Sequence, residues 1–201
     1  MTGEQPPRLS RAEQQALTRD RLLEAAASVF AEHGVDGAAI DDIAARAGYS
    51  RGAFYSNFSD KTELLIALCD RRLTAYRREQ LPALLAAPPE QRLTAVAAWL
   101  GTEQPPLEVL LVVELARQRS RSEPSDPALT AAIERVLEVL GGLLSDASEQ
   151  VGELTDEERR ARSAAVLAAV LGADLLRHLG LPPTARVLEL LLGGIAPEAV
   201  T

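Results

Sequence analysis

Two short helical stretches joined by Ala47-Gly48-Tyr49-Ser50 constrain this chain more than any other feature. The stretch from Ile40 to Ala47 has helical spacing, with Ile43, Ala44 and Ala47 on one face. Gly48 stops it and supplies the positive φ that a sharp turn needs. Ser50 is placed to N-cap a second helix, from Arg51 to about Phe58. Ile43, Ala44, Phe54 and Phe58 can lock the pair together, and the small Ala44 and Ala47 let them approach closely. The segment of about 39–58 is therefore a candidate helix-turn-helix, with the N-terminal end of its second helix left free. A helical hairpin used only for packing would share this spacing.

The surrounding pattern is helical throughout. Residues 1–14, with Pro6 and Pro7, read as a flexible tail. After Thr18, the residues Leu22, Ala25, Ala26, Val29, Phe30 and His33 form one stripe, which Gly34 ends. Asp60-Lys61-Thr62-Glu63 reads as a capping box opening a longer helix to about Gln80, before Pro82. Proline- and glycine-bearing breaks then separate segments near 90–101, 107–119, 128–150, 156–179 and 184–193. No stretch alternates as a strand would. The expected fold is all-α, with about nine helices.

Charge at first points away from nucleic acid, because the 201-residue chain is net −8. The acidity is uneven, however: residues 1–80 are net −1 and residues 81–201 net −7. Residues 46–61 are locally positive, with Arg46, Arg51 and Lys61 against Asp60. Four of the seven aromatic residues also fall within residues 49–58. One cysteine, Cys69, excludes an internal disulfide and a cysteine zinc cluster, and two histidines make a histidine-based metal site improbable. No metal or other cofactor is expected. No apolar run reaches membrane-spanning length and the N-terminus lacks a signal-peptide core, so a cytoplasmic protein without a membrane partner is expected.

The free end of the second helix carries chemistry suited to double-stranded DNA. Ser50 and Arg51 sit where base edges or phosphates would be met, and arginine can fork onto guanine O6 and N7. Gly52 lets the backbone lie close to a partner. Tyr55 and Asn57 can hydrogen-bond phosphate. Lys61, the only lysine in the chain, stands at a helix N-terminus that already favours an anion.

The stretch from Thr18 to Gly34, then Asp42-Ile-Ala-Ala-Arg-Ala-Gly-Tyr-Ser-Arg-Gly-Ala-Phe-Tyr-Ser-Asn-Phe-Ser-Asp-Lys to Leu65, closely resembles the DNA-binding domain of TetR-family transcriptional regulators. The resemblance spans about residues 15–77. It implies an all-α homodimer with an N-terminal three-helix DNA-binding domain. Residues 78–201 would then form a larger domain that binds a small-molecule effector and dimerises. Most such proteins are repressors that release a palindromic operator when the effector binds. By the same resemblance Tyr55 corresponds to the recognition-helix tyrosine and Lys61 to a phosphate-binding lysine. Tyr49 stands where many members have valine, and Asn57 where many have histidine or tyrosine. Ala39 departs from the usual Thr or Ser that caps the second helix and touches phosphate.

The second domain is less explicit. Leu107 to Ala116 is apolar except at Glu108 and Glu114, which suits an interior helix. An arginine partner is the favoured reading for Glu114. Trp99, Leu107, Leu110, Leu111, Glu114 and Leu140 are the candidate effector-pocket residues, and a pocket of this composition suits a lipophilic effector. Gly141-Gly142 interrupts an apolar run, and Asp174 with His178 suits an ion pair or an interface hydrogen bond rather than a metal site. For the alanine- and leucine-rich segments 156–179 and 184–193 the resemblance implies a dimer interface, a pattern that an intrachain core would share. Cys69 reads as a small buried hydrophobe. No nucleophile–base pair or phosphate loop marks an enzyme. The alternative to a regulator is a small-molecule carrier or scaffold without DNA binding.

Overall fold

The computed structural model describes residues 10–79, 81–88, 91, 94, 95, 107–121, 126–145 and 155–181, and among them there is no strand. The chain divides into two units between Leu68 and Cys69. Helix α1 is Arg11–Gly37, α2 is Ile40–Arg46 and α3 is Arg51–Tyr55. Helix α4, Lys61–Glu79, begins in the first unit and ends in the second. Helices α5 (Leu81–Leu85), α6 (Leu107–Arg121), α7 (Pro127–Ser145) and α8 (Asp156–His178) follow. The expected segment 184–193 and most of 90–101 lie outside the described residues.

Helix α1 starts earlier than the polar N-terminus suggested. Ser10 and Glu13 form a capping box: the Glu13 amide donates to Ser10 Oγ at 3.2 Å, and the Ser10 amide donates to Glu13 Oε2 at 2.7 Å. Residues 11–14 are thus helical rather than part of a loose tail. Gly34 breaks the helix at φ 68°, as expected. Leu22, Ala25, Ala26, Val29 and Phe30 are buried, but His33 at the end of the same stripe is exposed.

The turn between α2 and α3 is a complete Schellman closure. The Tyr49 amide donates to Ala44 O at 2.9 Å and the Gly48 amide to Ala45 O at 3.0 Å, with Gly48 at φ 78°. Helix α3 ends at Tyr55, three residues before the expected end at Phe58. Phe54 and Phe58 are nonetheless fully buried, with Ile43, Leu64, Leu65 and Leu68. Asp60 caps α4, accepting from the Glu63 amide at 2.8 Å, while Glu63 Oε2 accepts from the Ser59 amide at 2.7 Å.

In the second unit, Val109 and Val113 of α6 pack with Val166, Ala169, Val170 and Ala173 of α8. Helix α7 is started by Asp126, whose carboxylate accepts from the Ala128 and Leu129 amides at 3.0 and 3.1 Å. It continues through Gly141 and Gly142 without interruption. Thr155 and Glu158 form a second capping box at the start of α8.

A Cβ on Gly48 would meet nothing within 4 Å, so substitution there is costly only through the backbone. Gly48→Ala should lower stability by about 1–2 kcal/mol in denaturant titration, and Gly48→Asn by less, because Asn tolerates the left-handed region better.

Candidate nucleic-acid interface and effector cavity

The exposed face of the helix-turn-helix is built on the buried one. The Phe54 ring meets Phe58 with centroids 5.8 Å apart and takes Tyr55 edge-on at 5.3 Å. That packing leaves Tyr55 46% exposed. Ser50 Oγ caps α3 by accepting from the Ala53 amide at 3.3 Å. Arg51 and Gly52 are exposed beside it, and Tyr49 is half-buried in the turn.

Arg51 is already partnered. Its Nη1 donates to Asp41 Oδ2 at 2.9 Å, its Nη2 reaches the Tyr55 hydroxyl at 3.4 Å, and its guanidinium lies 5.6 Å from the Tyr55 ring centroid. Arg46 is likewise forked onto Glu32, with Nη2 donating to Oε2 at 2.7 Å and Nη1 to Oε1. Both pairs are solvent-exposed, so each is cheap to exchange for a phosphate or base.

Lys61 and Asn57 are turned toward the protein. Lys61 Nζ donates to three carbonyls at the end of α1: Val35 O at 2.6 Å, Ala38 O at 3.1 Å and Asp36 O at 3.2 Å. An ammonium has three donors, and all three are engaged. Asn57 Nδ2 donates to Ala53 O at 2.8 Å, closing the end of α3, and its Oδ1 is buried without a partner. Both are residues expected to meet phosphate, Lys61 from its helix N-terminus and the family resemblance and Asn57 from its amide; in this structure carbonyls left open by the ends of α1 and α3 engage them. Ala39 provides no side-chain cap for α2.

Arg19, not singled out from the sequence, holds this region from α1. It donates to Asn57 O at 2.7 Å and stacks over the Phe58 ring, 4.1 Å from its centroid.

The second unit contains an aliphatic cavity of about 60 Å³. Helix α4 contributes Cys69, Arg72, Leu73 and Tyr76; α6 contributes Glu108, Leu111 and Val112; α7 contributes Val136, Val139 and Leu140. On each helix these residues share one face, at i, i+3 and i+4 spacing. Two of the expected pocket residues, Leu111 and Leu140, are there. Leu107, Leu110 and Glu114 are not among the described lining residues, and Trp99 lies outside the described residues. Glu114 is buried and accepts from Gln118 Nε2 at 2.9 Å, an amide partner rather than the expected arginine.

The cavity's polar end pairs Arg72 Nη1 with Glu108 Oε1 at 3.5 Å. Beside it, Arg135 of α7 forks onto Asp70 of α4 at 2.7 and 2.9 Å. Burial, reinforced by the Asp70 carboxylate and opposed by Arg135, pushes the Cys69 thiol up, so it remains protonated at neutral pH. Burial, with Glu108 nearby, also raises Tyr76. No described group of His, Cys, Asp and Glu could hold a metal ion, and no described helix is long and apolar enough to cross a membrane.

The first unit thus carries a helix-turn-helix and the second an aliphatic cavity. Residues 22–68 match the family model of bacterial regulatory proteins, tetR family. The HTH-type transcriptional repressor BepR of Brucella suis biovar 1 (strain 1330) is 30% identical over 167 residues, covering 80% of this chain and 79% of BepR. FadR of Bacillus subtilis, solved with stearoyl-CoA, superposes with a TM-score of 0.60 at 18% identity, covering 89% of this chain and 97% of FadR. EbrR, solved with proflavin, superposes with a TM-score of 0.63 at 20% identity, covering 89% of this chain and 99% of EbrR. The chain belongs to the TetR family. It is a DNA-binding transcriptional regulator, not an enzyme.

Two outcomes are expected at the base of the interface. Lys61→Met should lower stability by about 1.5–3 kcal/mol, the range for hydrogen bonds to a charged group, while leaving the salt slope of DNA binding unchanged. A slope reduced by about one would show instead that the lysine neutralises a phosphate. The Ser59 amide holds the Glu63 carboxylate below its ordinary value of 4.5. The stability from that bond is complete above 4.5 and is lost as pH falls through the lowered value. Acid titration of unfolding should therefore be shallower in Glu63→Gln than in the native chain.

Proposed function

We propose that the protein is a homodimeric repressor that leaves a near-palindromic operator when a small lipophilic effector enters the cavity of its second unit. The observation carrying this reading is the exposed Ser50, Arg51 and Tyr55 at the start of α3, set over the fully buried Phe54 and Phe58. In this reading Ser50, Arg51, Gly52, Tyr55 and Tyr49 meet DNA directly. Asn57 and Lys61 shape the surface from behind. BepR, matched over most of its length, is a repressor by name, which supports repression.

Dimerisation places two α3 helices in successive major grooves, about 34–36 Å apart. Leu175, Leu179 and Leu181, more than half exposed at the end of α8, support a subunit interface there. Effector entry works through α4, because that helix lines the cavity with Cys69, Arg72, Leu73 and Tyr76 and begins with Lys61 in the DNA-binding unit. The effector must bind better to the dimer geometry with the wrong groove spacing, since a ligand shifts an equilibrium only by differential affinity. A regulator of this kind works among nucleic acid, in the cytoplasm.

Mobility shift on random genomic fragments at low and high salt tests the reading. Retardation at low salt, weakened by salt, is expected, and its absence would sink the proposal. Once an operator is selected from a random pool, Arg51→Ala should cost about 1–3 kcal/mol at one guanine-containing position and relax specificity there.

A further inference from the structure

The fold does not choose the ligand, since stearoyl-CoA and proflavin occupy proteins of this shape. The side chains of the cavity must do so. Resting on the regulator reading above, we propose that the effector is an uncharged aliphatic compound with one hydrogen-bond acceptor, such as a ketone, ester or amide, whose acceptor is bound by Arg72.

Three observations lead there. First, Leu73, Leu111, Val136 and Leu140 give the cavity aliphatic walls, with Tyr76 the one aromatic among its described lining residues. A flat aromatic ligand finds little to stack on, whereas an alkyl chain finds continuous apolar contact. Second, the polar end is electrically balanced. Arg72 and Glu108 lie 3.5 Å apart, so a carboxylate approaching the guanidinium meets Glu108, and an ammonium approaching Glu108 meets the guanidinium. Either charged ligand loses much of what it gains. Third, Arg72 Nε is buried and has no hydrogen-bond partner. Buried donors are nearly always satisfied, so this N–H is a standing demand for an acceptor. A carbonyl oxygen meets it without adding charge.

Size sharpens the mechanism. At about 60 Å³ the cavity has room for a few waters, each needing roughly 10–15 Å³. An eight-carbon effector must therefore push its walls apart. Helix α4 is tied to α6 through Arg72 and Glu108, and to α7 through Asp70 and Arg135, both partly exposed ion pairs. An acceptor that engages Arg72 competes for one of those ties as the chain of the ligand widens the space.

The test uses the full-length protein and three probes of matched length: octan-2-one, octanoate and octylammonium. Calorimetric titration should give octan-2-one an affinity about tenfold above either ion, with Arg72→Met removing most of that advantage. Glu108→Gln, which takes away the opposing charge, should raise octanoate affinity by about tenfold and carries the test if Arg72→Met does not fold. Preference for octanoate or octylammonium on the native chain would overturn the proposal. So would binding of none of the three, or octanoate affinity unmoved by Glu108→Gln. DNA retardation by the ligand-free protein is measured alongside. Its loss would count against the regulator reading, whereas intact retardation without the ketone preference would count against the effector class alone.

Discussion

The exposed face of the helix-turn-helix depends on the burial of Phe54 and Phe58. Helix α3 has only five residues, far too few to persist alone in water. Its conformation is held from beneath by two fully buried rings and from its ends by the Ser50 cap and the Asn57 amide. Arg19 adds a cation over the Phe58 ring and a hydrogen bond to the next loop. The recognition element is thus a projection of the core rather than an independent helix, and the exposed Tyr55 owes its direction to the edge-on contact with Phe54.

What the amino-acid pattern disclosed was local. The stops at Gly34 and Gly48, the Ser50 cap and the Asp60–Glu63 pair each involve residues within a few positions of one another, and the structure contains all of them. The Ser10–Glu13 box was equally local but was obscured by the neighbouring prolines. Features needing distant partners were not legible. Nothing in the spacing around Lys61 reveals that the carbonyls of Val35, Asp36 and Ala38 converge on its ammonium. The cavity posed the same difficulty. Glu108 and Glu114 differ by six positions, which at about 100° per residue sets them on different sides of α6. Their common charge drew attention to Glu114, while the face shared by Glu108, Leu111 and Val112 is the one that lines the cavity.

The acidic composition also takes on a structural meaning. Arg46 and Arg51, two of the cations around the helix-turn-helix, are held by Glu32 and Asp41 in the free protein. These exposed pairs keep the guanidinium groups ordered at little energetic cost. DNA phosphate, a denser source of negative charge, competes with such carboxylates rather than with bulk water alone. An overall charge of −8 is therefore compatible with DNA binding, because the local pairing and not the sum decides what the surface presents.

The carbonyl cradle around Lys61 reaches beyond stability. Lys61 is the sole lysine of the chain, and its amine is enclosed by the end of α1. Every other basic side chain apart from the two histidines is an arginine, permanently charged in the physiological range. Acylation of lysine, a common means of erasing positive charge on DNA-binding surfaces, thus has no free side-chain amine to act on in this interface. The positive charge that this surface presents therefore rests on arginines, which lysine acylation does not reach.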